Sequence, residues 1–348
     1  NIFIPLGVLT KARREAVDIL LQKVLHGHER ERKDPDLAEI ETVCCQSGDG
    51  AGLVCTAPVA DENMENNAEH PLLAVEVTDI SSLMSTAGAG ADIAYIPIEH
   101  FRALTGPDYE GAVRKLANTG ITIVFILPQI THDQELTALI PLIKDVKDSG
   151  FAVACSSFGT VQLASELELS FTAQKELTTF NSVAACALYR AGAHRVTLSS
   201  ELNLDEITDV CDALKDSKTR GQVEIVIHGR ELLLVTEHDL IGSLVEEGLV
   251  NRDSDVNLVD NKERKYPVKC WGQRTLIYDS KVLNMLDHVE RLKECGADVL
   301  RLDLSLYSKN EVRKITRAYK KALVGKDVRL RDIRDEMYCE GHYFKGVG

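Results

Sequence analysis

Short runs of apolar and β-branched residues alternate along the chain with stretches of helical periodicity. LLAVEV (Leu72–Val77), ADIAYI (Ala91–Ile96), ITIVFIL (Ile121–Leu127) and FAVACS (Phe151–Ser156) read as buried strands. LELSFT (Leu167–Thr172), RVTLS (Arg195–Ser199), VEIVI (Val223–Ile227) and DVLRLDL (Asp298–Leu304) read the same way. Nearly unbroken apolar runs suit strands of a parallel sheet covered on both faces, where strict alternation would leave one face wet. Helical patterns lie between them, among them YEGAVRKLANTG (Tyr109–Gly120) and ELTALIPLIKDVKDSG (Glu135–Gly150). Each ends in a glycine, which takes the left-handed cap at little cost. The unit helix–Gly–strand recurs in NTGITIVF, DSGFAVA, RAGAHRVTL and ECGADVLRL. Eight βα units predict an α/β fold, a single TIM-like (βα)8 barrel. A doubly wound open sheet has the same local pattern, since closure is not a property of any one segment.

Two regions fall outside this alternation. Residues 1–70 are expected as an N-terminal helix, TKARREAVDILLQKVLHGHERERK, with a connecting segment, and residues 71–348 as the barrel. Within the barrel, residues 229–296 separate the seventh and eighth strands by far more than an ordinary crossover. They hold ELLLVTEH (Glu231–His238), the polar loop NRDSDVNLVDNKERK (Asn251–Lys265) and YPVKCWGQRTLIYDS (Tyr266–Ser280). A helical pattern, KVLNMLDHVERLKECG (Lys281–Gly296), closes the insertion. So long a connection is usually functional, and in a barrel it would lie over the C-terminal mouth.

The 348 residues are 44% hydrophobic but only 5% aromatic, so the core must be filled largely by aliphatic side chains. A net charge of −14 argues against a duplex nucleic-acid footprint or an anionic membrane surface, both of which want a basic face. No run approaches the roughly 18 apolar residues of a spanning helix, and the N-terminus lacks a signal-peptide pattern. Nine cysteines, an odd number with no C-x-x-C, point to reduced thiols and a cytoplasmic protein rather than a disulfide framework.

Familiar protease constellations are absent. His28-Glu29-Arg30-Glu31-Arg32 starts like H-E-x-x-H but has no second histidine, and no G-x-S-x-G occurs. Asp148-Ser149-Gly150 matches the aspartic-protease tripeptide, yet it ends a helix just before a strand, where Ser-Gly is ordinary capping chemistry. The catalytic residues stay unassigned. Polar residues do gather at the ends of expected strands: Glu76, Gln174, Glu201, His228, Arg301 and Asp303. In a barrel they would reach the mouth and form a polar-ligand pocket, with His228, Arg301, Glu201 and Gln174 as binders. Equally, such charges could pair with one another, Arg301 with Glu201 for example. His238 and Cys270 flank the polar loop and carry the nitrogen and sulfur donors that zinc prefers. His228, Asp239 or His342 could complete the set, as could a twofold partner contributing a second His–Cys pair. The alternative is an exposed histidine and a half-buried thiol.

Several segments resemble the collagenase-like peptidases of unknown catalytic type, family U-32. They are FNSVAACALYRAGAHRVTLSSELNLDEI (Phe180–Ile207), VEIVIHGRELLLVTEHDLIG (Val223–Gly242), Tyr266–Leu304 and the closing GHYFKGVG. IPLGVLTKARREAVDIL is similar to the segment that precedes a second barrel in longer members. The resemblance implies a TIM-like barrel and a peptidase, a hydrolase with no agreed catalytic residues. Other members resemble oxygen-independent hydroxylation factors for RNA or quinone precursors, with a four-iron cluster on four cysteines around this insertion. Carried over by position, the first cluster cysteine falls on Asp239, the next two have no counterpart in Ser243–Asp260, and the last is Cys270. No iron–sulfur cluster is therefore expected. The expectation is a metal-bearing barrel, zinc on His238 and Cys270, that works as a homodimer and takes a peptide or small carboxylate at its mouth. A hydroxylation factor that lost its cluster cysteines and a non-catalytic interaction domain are the alternatives.

Overall fold

The computed structural model describes residues 15–20, 23, 70–106, 116, 118–215, 217, 220–251, 255–326, 328 and 337–347. The chain divides into two units, Asn1–Ala51 and Gly52–Gly348. In the first, residues 15–20 and 23 are helical, within the expected N-terminal helix. His28, Cys44, Cys45, Cys55 and most of the helix expected over Tyr109–Gly120 lie outside the described residues.

In the second unit the apolar runs fold as β1 (Leu72–Glu76), β2 (Ile93–Pro97), β3 (Thr122–Ile126), β4 (Ala152–Cys155), β5 (Phe171–Ala173), β6 (Ala193–Thr197) and β7 (Gln222–Gly229). The insertion follows as β8 (Leu232–Thr236), β9 (Val256–Val259), β10 (Lys265–Trp271), β11 (Arg274–Tyr278) and β12 (Val282–Asn284). Then come β13 (Val299–Asp303) and β14 (Tyr338–Cys339). Strands β1 to β7 pair in order, all parallel, and β13 pairs in parallel with both β7 and β1. That double pairing closes an eight-stranded (βα)8 barrel and excludes the open sheet.

Between strands run α1 (Ile80–Ala87), α2 (Phe101–Thr105), α3 (Asp133–Asp148), α4 (Phe158–Glu166), α5 (Ser182–Arg190) and α6 (Leu204–Lys215). Helix α7 (Leu240–Glu246) belongs to the insertion, and α8 (Val289–Glu294) and α9 (Lys309–Leu323) flank β13. Asp79, Ser157 and Asn181 accept the first orphan amides of α1, α4 and α5, so these starts are written in the sequence.

Two elements depart from their local pattern. The apolar run places the fifth strand over Leu167–Thr172, but α4 runs to Glu166 and Glu168 takes a left-handed turn at φ 51°. The strand starts only at Phe171. Lys281–Gly296, with the periodicity of one helix, begins as β12, antiparallel to the overshooting end of β7, with Asn284 opposite His228. A rim strand that outruns its barrel needs a partner for its backbone groups, and that need overrides helical periodicity.

Alternate residues along each strand divide into two cores. Outward side chains meet the helices. Inward ones are lopsided: Ala74, Ile93, Tyr95, Val124, Ala154 and Val299 form an apolar half. Opposite them, β5, β6, β7 and β13 send in Thr172, Arg195, Thr197, Glu224 and Arg301, all buried. The small residues of β1 and β4 leave room for two buried arginines.

Candidate active site at the barrel mouth

The C-terminal ends of the strands meet a cavity of about 620 Å³, roofed by the insertion. The roof is the antiparallel sheet β8-β11-β10-β9. Several polar ties hold it down, His132 to Glu237 among them. Trp271 Nε1 donates to Glu99 Oε1 at 2.8 Å, Lys175 Nζ to Glu231 Oε1 at 2.7 Å, and Arg274 Nη2 to Glu135 Oε2 at 2.8 Å. Arg274 holds the Glu135 carboxyl down to about 2.

Arg301, inward on β13, organises the floor. Its guanidinium donates to Gln174 Oε1, to Glu76 Oε2 and, at 3.2 Å, to Glu224 Oε1. It also lies 3.9 Å over the Tyr95 ring. Glu224 in turn accepts from Thr197 Oγ1 and Tyr95 Oη, each at 2.8 Å, and Arg195 donates to Tyr95 Oη at 2.9 Å. A continuous polar chain thus runs from the barrel interior to the mouth.

Glu76 ends β1, with a side chain 22% exposed, and it lines the cavity. Burial pushes its carboxyl up to about 7; Arg301 opposes this, while Asp303 and Glu176 add to it. A carboxyl group that changes charge near neutrality, in a roofed cavity at a strand end, has the properties of a proton-transfer group. The cavity is lined by six carboxylates and three cations. Each cation already holds a carboxylate of the chain: Arg301 those of Glu76 and Glu224, Lys175 that of Glu231, Lys269 that of Asp255.

Residues 78–329 match the family profile of Peptidase family U32. The chain belongs to that family. An uncharacterized protease of Methanocaldococcus jannaschii is 27% identical over 216 residues, 56% of this chain and 52% of that protein. The chain thus spans about half the length of this relative. The tRNA hydroxylation protein P2 of Bacillus subtilis is 23% identical over 272 residues, 73% of this chain and 85% of that protein. A solved U32 peptidase aligns at 14% identity with a TM-score of 0.40, over 71% of this chain and 98% of that one.

In this U32 chain the expected site residues separate. Gln174 and Arg301 meet at the mouth, with Glu76 and Asp303 beside them. His228 does not reach the cavity. A register shift between Arg301 and Leu302 against β7 turns it outward, where it lies 3.2 Å from Tyr319 Oη of α9 and 3.4 Å from Tyr307 Oη. There it is fully buried, and burial lowers it to about 3, so it is neutral. Glu201 is exposed in the loop after β6, and the partners of Arg301 are Glu76 and Glu224 instead. Cys270 lines the mouth and donates from Sγ to Asp239 Oδ1 at 3.3 Å, so positions 239 and 270 are neighbours. His238 is exposed, and His342, also exposed, lies 3.2 Å from Gly346 O through Nδ1. Among the described residues no three His, Cys, Asp or Glu side chains form a group able to hold a metal ion.

Glu224, Tyr95 and Arg195 do not stand out in the strand-end pattern. The signal that marks them is parity: Glu224 and Arg195 are charged residues inside apolar runs, at positions where the side chain must point into the barrel.

Proposed function

We propose that the mouth is a hydrolytic site for a peptide segment, with Glu76 as the group that exchanges protons. The supporting observation is the carboxyl of Glu76, at the end of a barrel strand, clasped by Arg301 and facing the roofed cavity. As a carboxylate it takes a proton from the water that attacks the amide carbon. It returns that proton to the nitrogen as the C–N bond breaks, so water is divided between the two products. The excess of carboxylates, with every lining cation already engaged, favours a peptide bearing amines and amide donors over a small free carboxylate.

The test is cleavage of an unbiased peptide library by the full chain. Turnover should rise as Glu76 ionises near pH 7, and Glu76→Gln should lower kcat/KM by about 100-fold or more with the fold retained. Cleavage unaffected by that substitution sinks the assignment. Binding without cleavage would favour an interaction domain. Likeness to the Bacillus subtilis hydroxylation protein supports a second reading, a hydroxylation factor. With one cysteine, Cys270, at the four family positions, that reading requires cluster ligands from elsewhere, on a partner or on an N-terminal half of a longer protein.

A further inference from the structure

The polar chain beneath Arg301 holds a second buried carboxylate, Glu224, that does not line the cavity. Glu224, the third residue of β7, is fully buried and tied on both oxygens: Oε1 to Thr197 and Arg301, Oε2 to Tyr95, with Arg195 Nη1 4.0 Å from Oε2. It lies on the interior side of the Arg301 guanidinium, while Glu76 lies on the cavity side. We infer that Glu224 is a positioning residue: it takes a share of the Arg301 charge and so keeps the Glu76 carboxyl able both to accept and to release a proton. The inference rests on the reading of Glu76 as the reacting group and supplies the means by which the barrel tunes it.

The physical argument is one of shared charge. An arginine buried beside a single carboxylate makes a tight ion pair and holds that carboxylate ionised. Arg301 faces two. The second, Glu224, cannot turn away, because Thr197 Oγ1 and Tyr95 Oη each donate to it at 2.8 Å. Tyr95 also presents its ring to the guanidinium at 3.9 Å, which fixes the plane in which Arg301 lies. The other charged or titratable groups around Glu76 are Asp303 on β13, Lys175 and Glu176 after β5, and Tyr278 on β11, with Glu99 after β2 lining the same cavity. None of these contacts the interior side of Arg301 as Glu224 does. The apolar half of the barrel interior contributes no charge; from the polar half Arg195 Nη1 lies 4.0 Å from Glu224 Oε2, on the side away from Glu76, and shares the Glu224 charge with Arg301.

The experiment follows the Glu76 carboxyl directly, by carbon-13 NMR titration of the full chain labelled at glutamate, with the signal assigned by its loss in Glu76→Gln. Glu224→Gln keeps the shape and removes the charge. Arg301 then faces Glu76 alone, and the Glu76 midpoint should fall by at least about one pH unit. Glu224→Asp keeps the charge on a shorter side chain and should give a smaller shift in the same direction. The acid limb of the peptide-cleavage profile should move with the titration. An unchanged or raised Glu76 midpoint in Glu224→Gln overturns the inference. An equal shift in both variants would make the effect one of packing and overturns it too. Should Glu224→Gln not fold, Glu224→Asp decides, and a midpoint identical to wild type overturns the proposal. A full shift in a chain that cleaves no peptide would overturn the hydrolytic reading and leave this one standing.

Discussion

Glu76 and His228 sit on opposite sides of the barrel wall and answer pH in opposite directions. Glu76 is raised from 4.5 to about 7 in the folded chain, so the native state binds its proton more tightly than the unfolded one. Its contribution to stability is complete below about 4.5 and is lost as pH rises through 7. His228 is lowered from 6.5 to about 3 by burial, and His194, beside Arg195, is lowered likewise. The unfolded state takes these protons first, so their contribution is complete above 6.5 and is lost as pH falls toward 3. Between pH 4.5 and 6.5 Glu76 therefore offsets one histidine. Glu76→Gln should steepen the loss of stability across that window by about 1.4 kcal/mol per pH unit, measured by urea unfolding at a series of pH values. Parallel curves for the two proteins would contradict this account. Glu76, Gln174 and Arg301 are legible in the sequence as polar residues at the ends of apolar runs. The outward turn of His228 is not, because it follows from a register shift between β7 and β13.

Gly229 shows how closely the elements at the mouth are fitted. It ends β7 at φ +129°, and an added Cβ would fall 2.4 Å from the carbonyl oxygen of Asp303. Gly229→Ala combines a disfavoured backbone with a backbone clash and should cost about 2 kcal/mol or more, read as a lowered urea midpoint. The roof behaves differently. Arg274 ties it to α3 through Glu135, in a partly exposed pair that contributes little to global stability. Arg274→Ala should leave the urea midpoint nearly unchanged while proteolysis within residues 249–262 speeds up; protection equal to wild type would show that the tie is idle. At this scale the helix starts are readable from their caps. The late start of β5 and the conversion of the start of Lys281–Gly296 into β12 are not, because the first follows from the turn that ends α4 and the second answers the overshooting end of β7.

Across the whole molecule, among the described residues no helix is long and apolar enough to cross a membrane. The roof sheet leaves β8 at an edge, with Leu233 52% and Leu234 48% exposed. An apolar edge strand of this kind is a place where a second chain can pair. We propose that any zinc held by His238 and Cys270 is shared between two such pairs across a dimer. Elemental analysis of size-separated fractions should find no stoichiometric zinc on monomer. On dimer it should find at most half an equivalent per chain, lost in Cys270→Ser and His238→Ala. A full equivalent on monomer would overturn that proposal.

The local pattern by itself determined the kind and order of the barrel elements, the eight βα units and the placing of a long insertion over the mouth, though not the strand that opens Lys281–Gly296. These follow from periodicity, caps and connection length, which are properties of neighbouring residues. Closure of the sheet, the inward pairing of Arg301 with Glu224 and Glu76, and the exclusion of His228 from the cavity were decided by tertiary structure. Each depends on which residues from distant strands share one layer of the barrel, and register between strands is set only when the whole ring closes.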